Sequence, residues 1–208
     1  EQETYTQTGG MSQETLGQIQ FEEQNKQSFE LFQFITQDEG YTGEHVFCAT
    51  VEIENHRLSA KIPSHAMNGL LQYSVSELKG KYLFHNWIKH CFLCAAELIE
   101  YTRIYDRKKP AQFKMLTVIQ AREILKDLIQ YYLKGRDQII PFYVNTAYTY
   151  EKELKMNKTQ ESALEKINGT WFGDNFFPDR EATDIYTQTS LKQGNNQPRE
   201  LPREFLKL

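Results

Sequence analysis

Cysteine spacing offers the first chemistry to weigh. Cys91-x-x-Cys94, with His90 directly before it, is a pattern that redox and metal sites both use. A structural zinc takes about four ligands, and the chain has 3 cysteines in all, Cys48 being the other. The same count excludes a four-cysteine iron–sulfur cluster. His45, His56, His65, His85 and His90 form no His-Glu-x-x-His pair. Cys91 and Cys94 therefore read as small apolar fillers on one helix face, and so sparse and odd a set suits a reducing cytoplasm. No metal or other cofactor is expected.

Two further clusters could carry recognition. Arg103, Arg107, Lys108, Lys109 and Lys114 stand against Asp106 alone, a local charge of +4 in one hairpin. Such a group could contact DNA phosphates, although a solvated basic turn has the same composition. Trp171, Phe172, Phe176 and Phe177 place four aromatics within seven residues beside Gly173 and Asn175. That stretch reads as a loop rather than a regular helix. It either tucks onto the core or offers a partner-binding patch, and tucking is the expectation.

The elements that must position these groups can be read from periodicity. Residues 1–12 are Gln/Thr/Gly-rich and read as a flexible lead-in, as in a fragment of a larger protein. Leu16, Ile19, Phe29, Phe32 and Ile35 predict a helix over 13–37, which Gly40 and Gly43 end. Alternation then predicts three strands, His45–Glu54, Arg57–Ile62 (closed by Pro63) and Gly69–Ser76, joined by short turns as an antiparallel meander. A broad apolar face (Leu83, Trp87, Ile88, Cys91, Cys94, Ala95, Leu98) predicts a central helix over 81–100, with Trp87 buried. Strands at 101–105 and 112–116 flank the basic turn. Thr117-x-x-Gln120 is a capping box opening a helix that ends at Gly135. Asn145 is expected to cap a helix to Met156, and 158–168 reads as another. The resulting partition is a core over 13–143, a helical extension over 144–192 and a polar tail over 193–208.

Composition sets the outer limits. The chain has 208 residues, 39% of them hydrophobic, and its 13 Phe, 12 Tyr and 2 Trp can fill a core. No apolar run approaches the ~18 residues of a membrane span, and no secretory leader opens the chain. A cytoplasmic location without membrane contact is expected. Net charge is −4, which gives no general attraction to nucleic acid. It is unevenly spread. Nine acids before His45 (Glu1, Glu3, Glu14, Glu22, Glu23, Glu30, Asp38, Glu39, Glu44) oppose Lys26 alone.

The class is α+β, and the order α-β-β-β-α-β with added C-terminal helices resembles the restriction-endonuclease-like nuclease core. A working member holds Mg²⁺ on a carboxylate at the end of the second strand and on an acid-x-Lys in the third, and the metal activates water. Here the corresponding positions are Pro63, Gln72 and Ser74, so the catalytic positions read as degenerate. The alternative is an active metal-dependent nuclease using displaced residues, with Glu52, Glu54, Glu77 and Lys79 as candidates.

The segments together resemble the C-terminal domain of RecC, the gamma subunit of exodeoxyribonuclease V (the RecBCD helicase–nuclease). Gly10, Leu16-Gly17-Gln18-Ile19, Glu22 and Gln24 match the family's first helix. Leu58-x-Ala60-x-Ile62-Pro63 and Gly69-Leu70-Leu71 follow. Trp87-Ile88-Lys89-His90 with Cys94-Ala95 is similar to a tryptophan-bearing helix in which an acid often replaces Lys89. Downstream come Ala121-x-x-x-Leu125-x-x-Leu128-Ile129-x-x-Tyr132, Gly135 and Pro141-Phe142. Ala163-Leu164-x-Lys166, Gly169, Gly173-Asp174 and Asp184-x-Tyr186 close the match. The resemblance implies a nuclease fold without the nuclease site, which is not itself an enzyme. Its role would be to route DNA and dock the alpha and beta subunits in double-strand break repair by homologous recombination.

Overall fold

A computed structural model describes residues 15–75, 78–106, 110–138, 140, 142–156, 159–172 and 181–183. Its described elements run α1 (Thr15–Thr36), β1 (His45–Ile53), β2 (His56–Ser64), β3 (Gly69–Tyr73), α2 (Gly80–Ala95), β4 (Tyr101–Tyr105), β5 (Ala111–Gln112), α3 (Val118–Asp137), α4 (Val144–Lys155), α5 (Gln160–Phe172) and a 3₁₀ turn at Glu181–Thr183. The chain divides into two compact units, Glu1–Leu78 with Phe92–Ala121 and Lys79–Cys91 with Arg122–Leu208. The α+β class holds. No described helix is long and apolar enough to cross a membrane.

In the first unit, β1 and β2 form an antiparallel hairpin whose register pairs Ile53 with His56. The turn is therefore Glu54–Asn55, one residue earlier than the sequence suggests, and Glu54 takes a left-handed φ of 50° there. Phe47, Val51, Ile53 and Ile62 are buried, which is the alternation expected of a strand with one dry face. Pro63 does not end the pairing. It lies opposite Val46, and the ladder continues to Ser64 opposite His45. A two-stranded sheet has only edges, where a missing N–H is tolerated.

The expected three-stranded meander is not formed. β3 pairs with β4 in parallel, Gly69 opposite Tyr101, and β4 pairs antiparallel with β5. Parallel neighbours need a crossover, and the chain supplies it through α2. Ser64, the last residue of β2, holds the start of β3. Its buried hydroxyl accepts the Leu71 N–H at 2.9 Å and the Ala66 N–H at 3.2 Å, and donates to the Gly69 carbonyl at 2.7 Å. The His65 N–H donates to the Leu71 carbonyl beside it at 3.0 Å. Leu31 and Ile35 of α1 bury with Ala66, Leu71 and Tyr105 in a shared core, with Tyr41, Val75 and Tyr101 packed around it.

α2 ends earlier than its sequence pattern, at Ala95. Glu97 adopts φ 56°, while Leu98 N–H donates to Leu93 O and Glu97 N–H to Cys94 O, each at 3.1 Å. This pair of bonds is a Schellman stop, here with Glu where glycine is usual. The buried residues of α2 are Gly80, Asn86, His90 and the run Cys91–Ala95. Trp87 is only half-buried and stacks on Phe84 at 6.0 Å, which corrects its expected burial. The Thr117 cap forms as read: Gln120 N–H donates to Thr117 Oγ1 at 3.3 Å, and Thr117 N–H to Gln120 Oε1 at 3.1 Å. The helix it opens passes through Gly135 to Asp137. β5 is shorter than expected, two residues.

In the second unit, α4 and α5 pack together. Asn145 does not cap its own helix; Tyr143 occupies that position, and its side chain makes no capping bond. The carboxylate of Glu181 takes the role, accepting the Asn145 and Thr146 N–H groups at 2.9 Å each and the Thr146 hydroxyl at 2.6 Å. A carboxylate at a helix N-terminus also answers the helix dipole. Asn145 Oδ1 turns to α2 and accepts the Lys81 N–H at 2.9 Å.

Candidate functional site

The most developed polar cluster lies where the end of α1 meets β4. Both guanidinium bonds of Arg103 Nη1 go to Asp38, at 2.8 and 3.0 Å, and Nη2 donates to Glu39 at 3.1 Å. Tyr105 donates its hydroxyl to Asp38 Oδ2, and the Gly40 N–H donates to Oδ1 at 2.8 Å. Tyr101 closes the cluster. Its hydroxyl donates to the Gly40 carbonyl at 3.1 Å, and the Arg103 guanidinium sits 4.9 Å from its ring centroid. A Cβ at Gly40 or at Gly69 would collide with the Tyr101 ring, so glycine is required at both positions.

The electrostatics follow from these contacts. Burial alone would raise the Asp38 carboxyl, but hydrogen bonds from Tyr105, Gly40 and Arg103 together hold it below the ordinary carboxylate range. Tyr105 is pushed up to about 12, first by burial and then by its bond to the Asp38 carboxylate. Asp38 is thus a fixed anion wrapped by donors, an arrangement that locks a junction and leaves no lone pair directed at a substrate.

Arg103, a candidate phosphate contact from the sequence, sits inside this cluster. Its guanidinium is engaged by two carboxylates and half-covered, so it serves the fold. Lys114 is exposed. Arg107, Lys108 and Lys109 lie outside the described residues. Asp106 of the same hairpin is buried and accepts the Leu78 N–H at 3.2 Å.

Of the three positions read from the sequence as degenerate, Pro63 and Gln72 meet. Gln72 on β3 donates its side-chain amide to the Pro63 carbonyl on β2 at 2.6 Å, and the Ser74 N–H donates to the Tyr105 carbonyl at 2.8 Å. His65 lies beside them, its ring 6.4 Å from Tyr41 and 5.1 Å from Tyr73. Of the displaced candidates, Glu52 stands opposite Arg57 on the exposed face of the hairpin, Glu54 occupies the turn, and Glu77 is outside the described residues. Among the described residues, no three of His, Cys, Asp and Glu group closely enough to hold a metal ion.

The aromatic stretch divides. Trp171 and Phe172 belong to the last turn of α5 rather than to a loop. Trp171 is fully buried with Tyr143 and Ala182, its ring 4.4 Å from that of Tyr143, and Phe172 packs against the same group. Trp171 is thus interior and not a partner-facing surface. Phe176 and Phe177 lie outside the described residues. Cys91 and Cys94 are buried free thiols and Cys48 is exposed. Burial raises the Cys94 thiol, partly offset by a backbone hydrogen bond from Leu116, so it stays protonated and unreactive.

The sequence reading missed Asp38, Tyr105, Ser64 and Glu181, which hold these junctions. Asp38, Tyr105 and Glu181 act on partners far along the chain, Ser64 on residues up to seven positions away, and no local motif marks any of them.

Comparison with known families matches residues 2–155 to the model of the RecC C-terminal domain. No curated protein matches the chain. The matched span is most of the sequence: this chain belongs to the RecC C-terminal domain family, and the family places it in a multi-subunit complex, RecBCD.

Proposed function

From that membership we propose that the chain is a non-catalytic domain of the gamma subunit of exodeoxyribonuclease V, which routes DNA strands and docks the alpha and beta subunits during double-strand break repair by homologous recombination. Its fold in this reading is a restriction-endonuclease-like core that has lost its metal. One observation carries the reading. The neutral amide of Gln72 reaches across to the Pro63 carbonyl at 2.6 Å, at the place where a nuclease would set two carboxylates around Mg²⁺. An amide has no charge to hold a divalent cation and a proline has no side-chain ligand, so this pair ties β2 to β3 in place of binding metal. The parallel β3–α2–β4 connection agrees with such a core.

The test is incubation of the purified protein with end-labelled linear duplex DNA and Mg²⁺ or Mn²⁺. Intact DNA is the expected result. Metal-dependent cleavage that disappears in Glu77→Ala would replace this reading with that of a nuclease using displaced acids.

A further inference from the structure

After α5 the chain returns to α4 at one short turn, Glu181–Thr183, beyond the residues 2–155 that match the family. Its hold on the first turn of α4 is polar and concentrated in one carboxylate. Glu181 accepts the Asn145 N–H on Oε1 at 2.9 Å, and the Thr146 N–H and hydroxyl on Oε2 at 2.9 and 2.6 Å. Thr146 is fully buried, so these charge-assisted bonds lie partly out of water, where they are strongest. The apolar part of the contact is small. Ala182 is what the turn adds to the cluster of Tyr143 and Trp171, and an alanine methyl removes little surface from water. Burial raises the Tyr143 phenol and the Glu181 charge raises it further, so the carboxylate stands close to that same cluster.

An opposing force sits in the cluster itself. Trp171 is fully buried, and among the described residues its indole N–H has no acceptor. A donor shut away from water and left unpaired costs free energy that contact with water would return. The closed arrangement is therefore held at Glu181 and penalised at Trp171. We propose that Glu181–Thr183 is a strap with two positions. Shut, it sets Glu181 on α4 and seals Trp171; open, it releases the Asn145 and Thr146 N–H groups and the Trp171 indole together, a local opening within a folded unit. One carboxylate sets the balance between them. α4 and α5 keep a link of their own, the Thr170 hydroxyl donating to Thr149 Oγ1 at 3.3 Å, so the turn can leave without separating the helices. This device stands apart from the routing and docking role proposed above.

The test uses the full-length protein bearing this chain and two site-resolved readings by mass spectrometry. One is hydrogen exchange at the Asn145 and Thr146 amides, the other oxidation of Trp171 by hydroxyl radicals. In E181A both should rise about tenfold, the factor expected when bonds to a charged group are lost. Exchange at Lys152 in α4 and at Ile167 in α5 should keep its wild-type rate. Faster exchange there as well would make the turn part of the α4–α5 fold and overturn the two-position strap. A rise at Asn145 and Thr146 with Trp171 oxidation unchanged would also overturn it. A second substitution has the opposite sign. Replacing Trp171 by benzothienylalanine keeps the ring shape but puts sulfur in place of the N–H, which removes the penalty on the shut position. Exchange at Asn145 and Thr146 should then slow by about tenfold, and an unchanged or faster rate would contradict the proposal.

Discussion

Replacing Asp38 by Asn would keep its shape and remove the charge that Arg103 and Tyr105 are arranged around. Hydrogen bonds to a charged group contribute about 1.5–3 kcal/mol, so D38N should lower stability by roughly that amount in denaturant titration. Its pH signature is directional. A carboxylate held below its unfolded pKa of about 3.9 contributes stability that is present above that value and lost as pH falls through the folded pKa. Tyr105 works at the other end: raised to about 12, it contributes below the ordinary tyrosine pKa of about 10 and loses that contribution as pH climbs toward the folded value. Wild type should therefore lose stability at both extremes, and D38N should show a flatter profile in acid, as followed by circular dichroism. Trp171 permits a second comparison. Truncating it to Ala should cost about 3–5 kcal/mol, and Trp87→Ala, at a half-buried position, clearly less. Equal costs would contradict the burial difference. None of this was legible from residue type, because the partners of Asp38 are 65 and 67 residues away and Trp87 had the better helical pattern.

Local signals gave the kind of several elements but not all of their ends. Pro63, Gly135 and Asn145 are not the stops and cap expected of them, and strand pairing over distance was not read. The β1–β2 hairpin announces itself by alternation, and Thr117-x-x-Gln120 announces its helix by reciprocal capping. The partner of β3 could not be read the same way. Nothing near Gly69–Tyr73 says that it pairs with a strand beyond α2, nor that the Ser64 hydroxyl binds its backbone at Gly69 and Leu71. Ser64→Ala should therefore leave backbone groups at Gly69 and Leu71 unsatisfied and cost about 1–3 kcal/mol, with the greatest loss of amide protection at Leu71 by hydrogen exchange. Glu97→Gly makes the opposite case. A non-glycine residue in the left-handed region carries a penalty of about 1–2 kcal/mol, so the glycine variant should raise the midpoint of unfolding. A lowered midpoint would show that the Glu97 side chain matters more than its backbone strain.

Across the whole molecule, the family was legible because many weak signals agreed in order and spacing over the matched residues 2–155, although no single one of them is diagnostic. The sequence named Pro63, Gln72 and Ser74 together; that Gln72 and Pro63 touch required the tertiary structure. The charge split, with nine acids before His45 against one lysine, bears on assembly. It makes the first segment a poor companion for DNA and suits it to a basic protein surface. The most direct measurement is co-expression of the full-length protein bearing this chain with the alpha and beta subunits of exodeoxyribonuclease V, followed by affinity capture and size-exclusion chromatography. The account expects one complex containing all three subunits, and its loss when this domain is deleted while the remaining chain stays folded. Retention of all three subunits after that deletion would contradict a docking role.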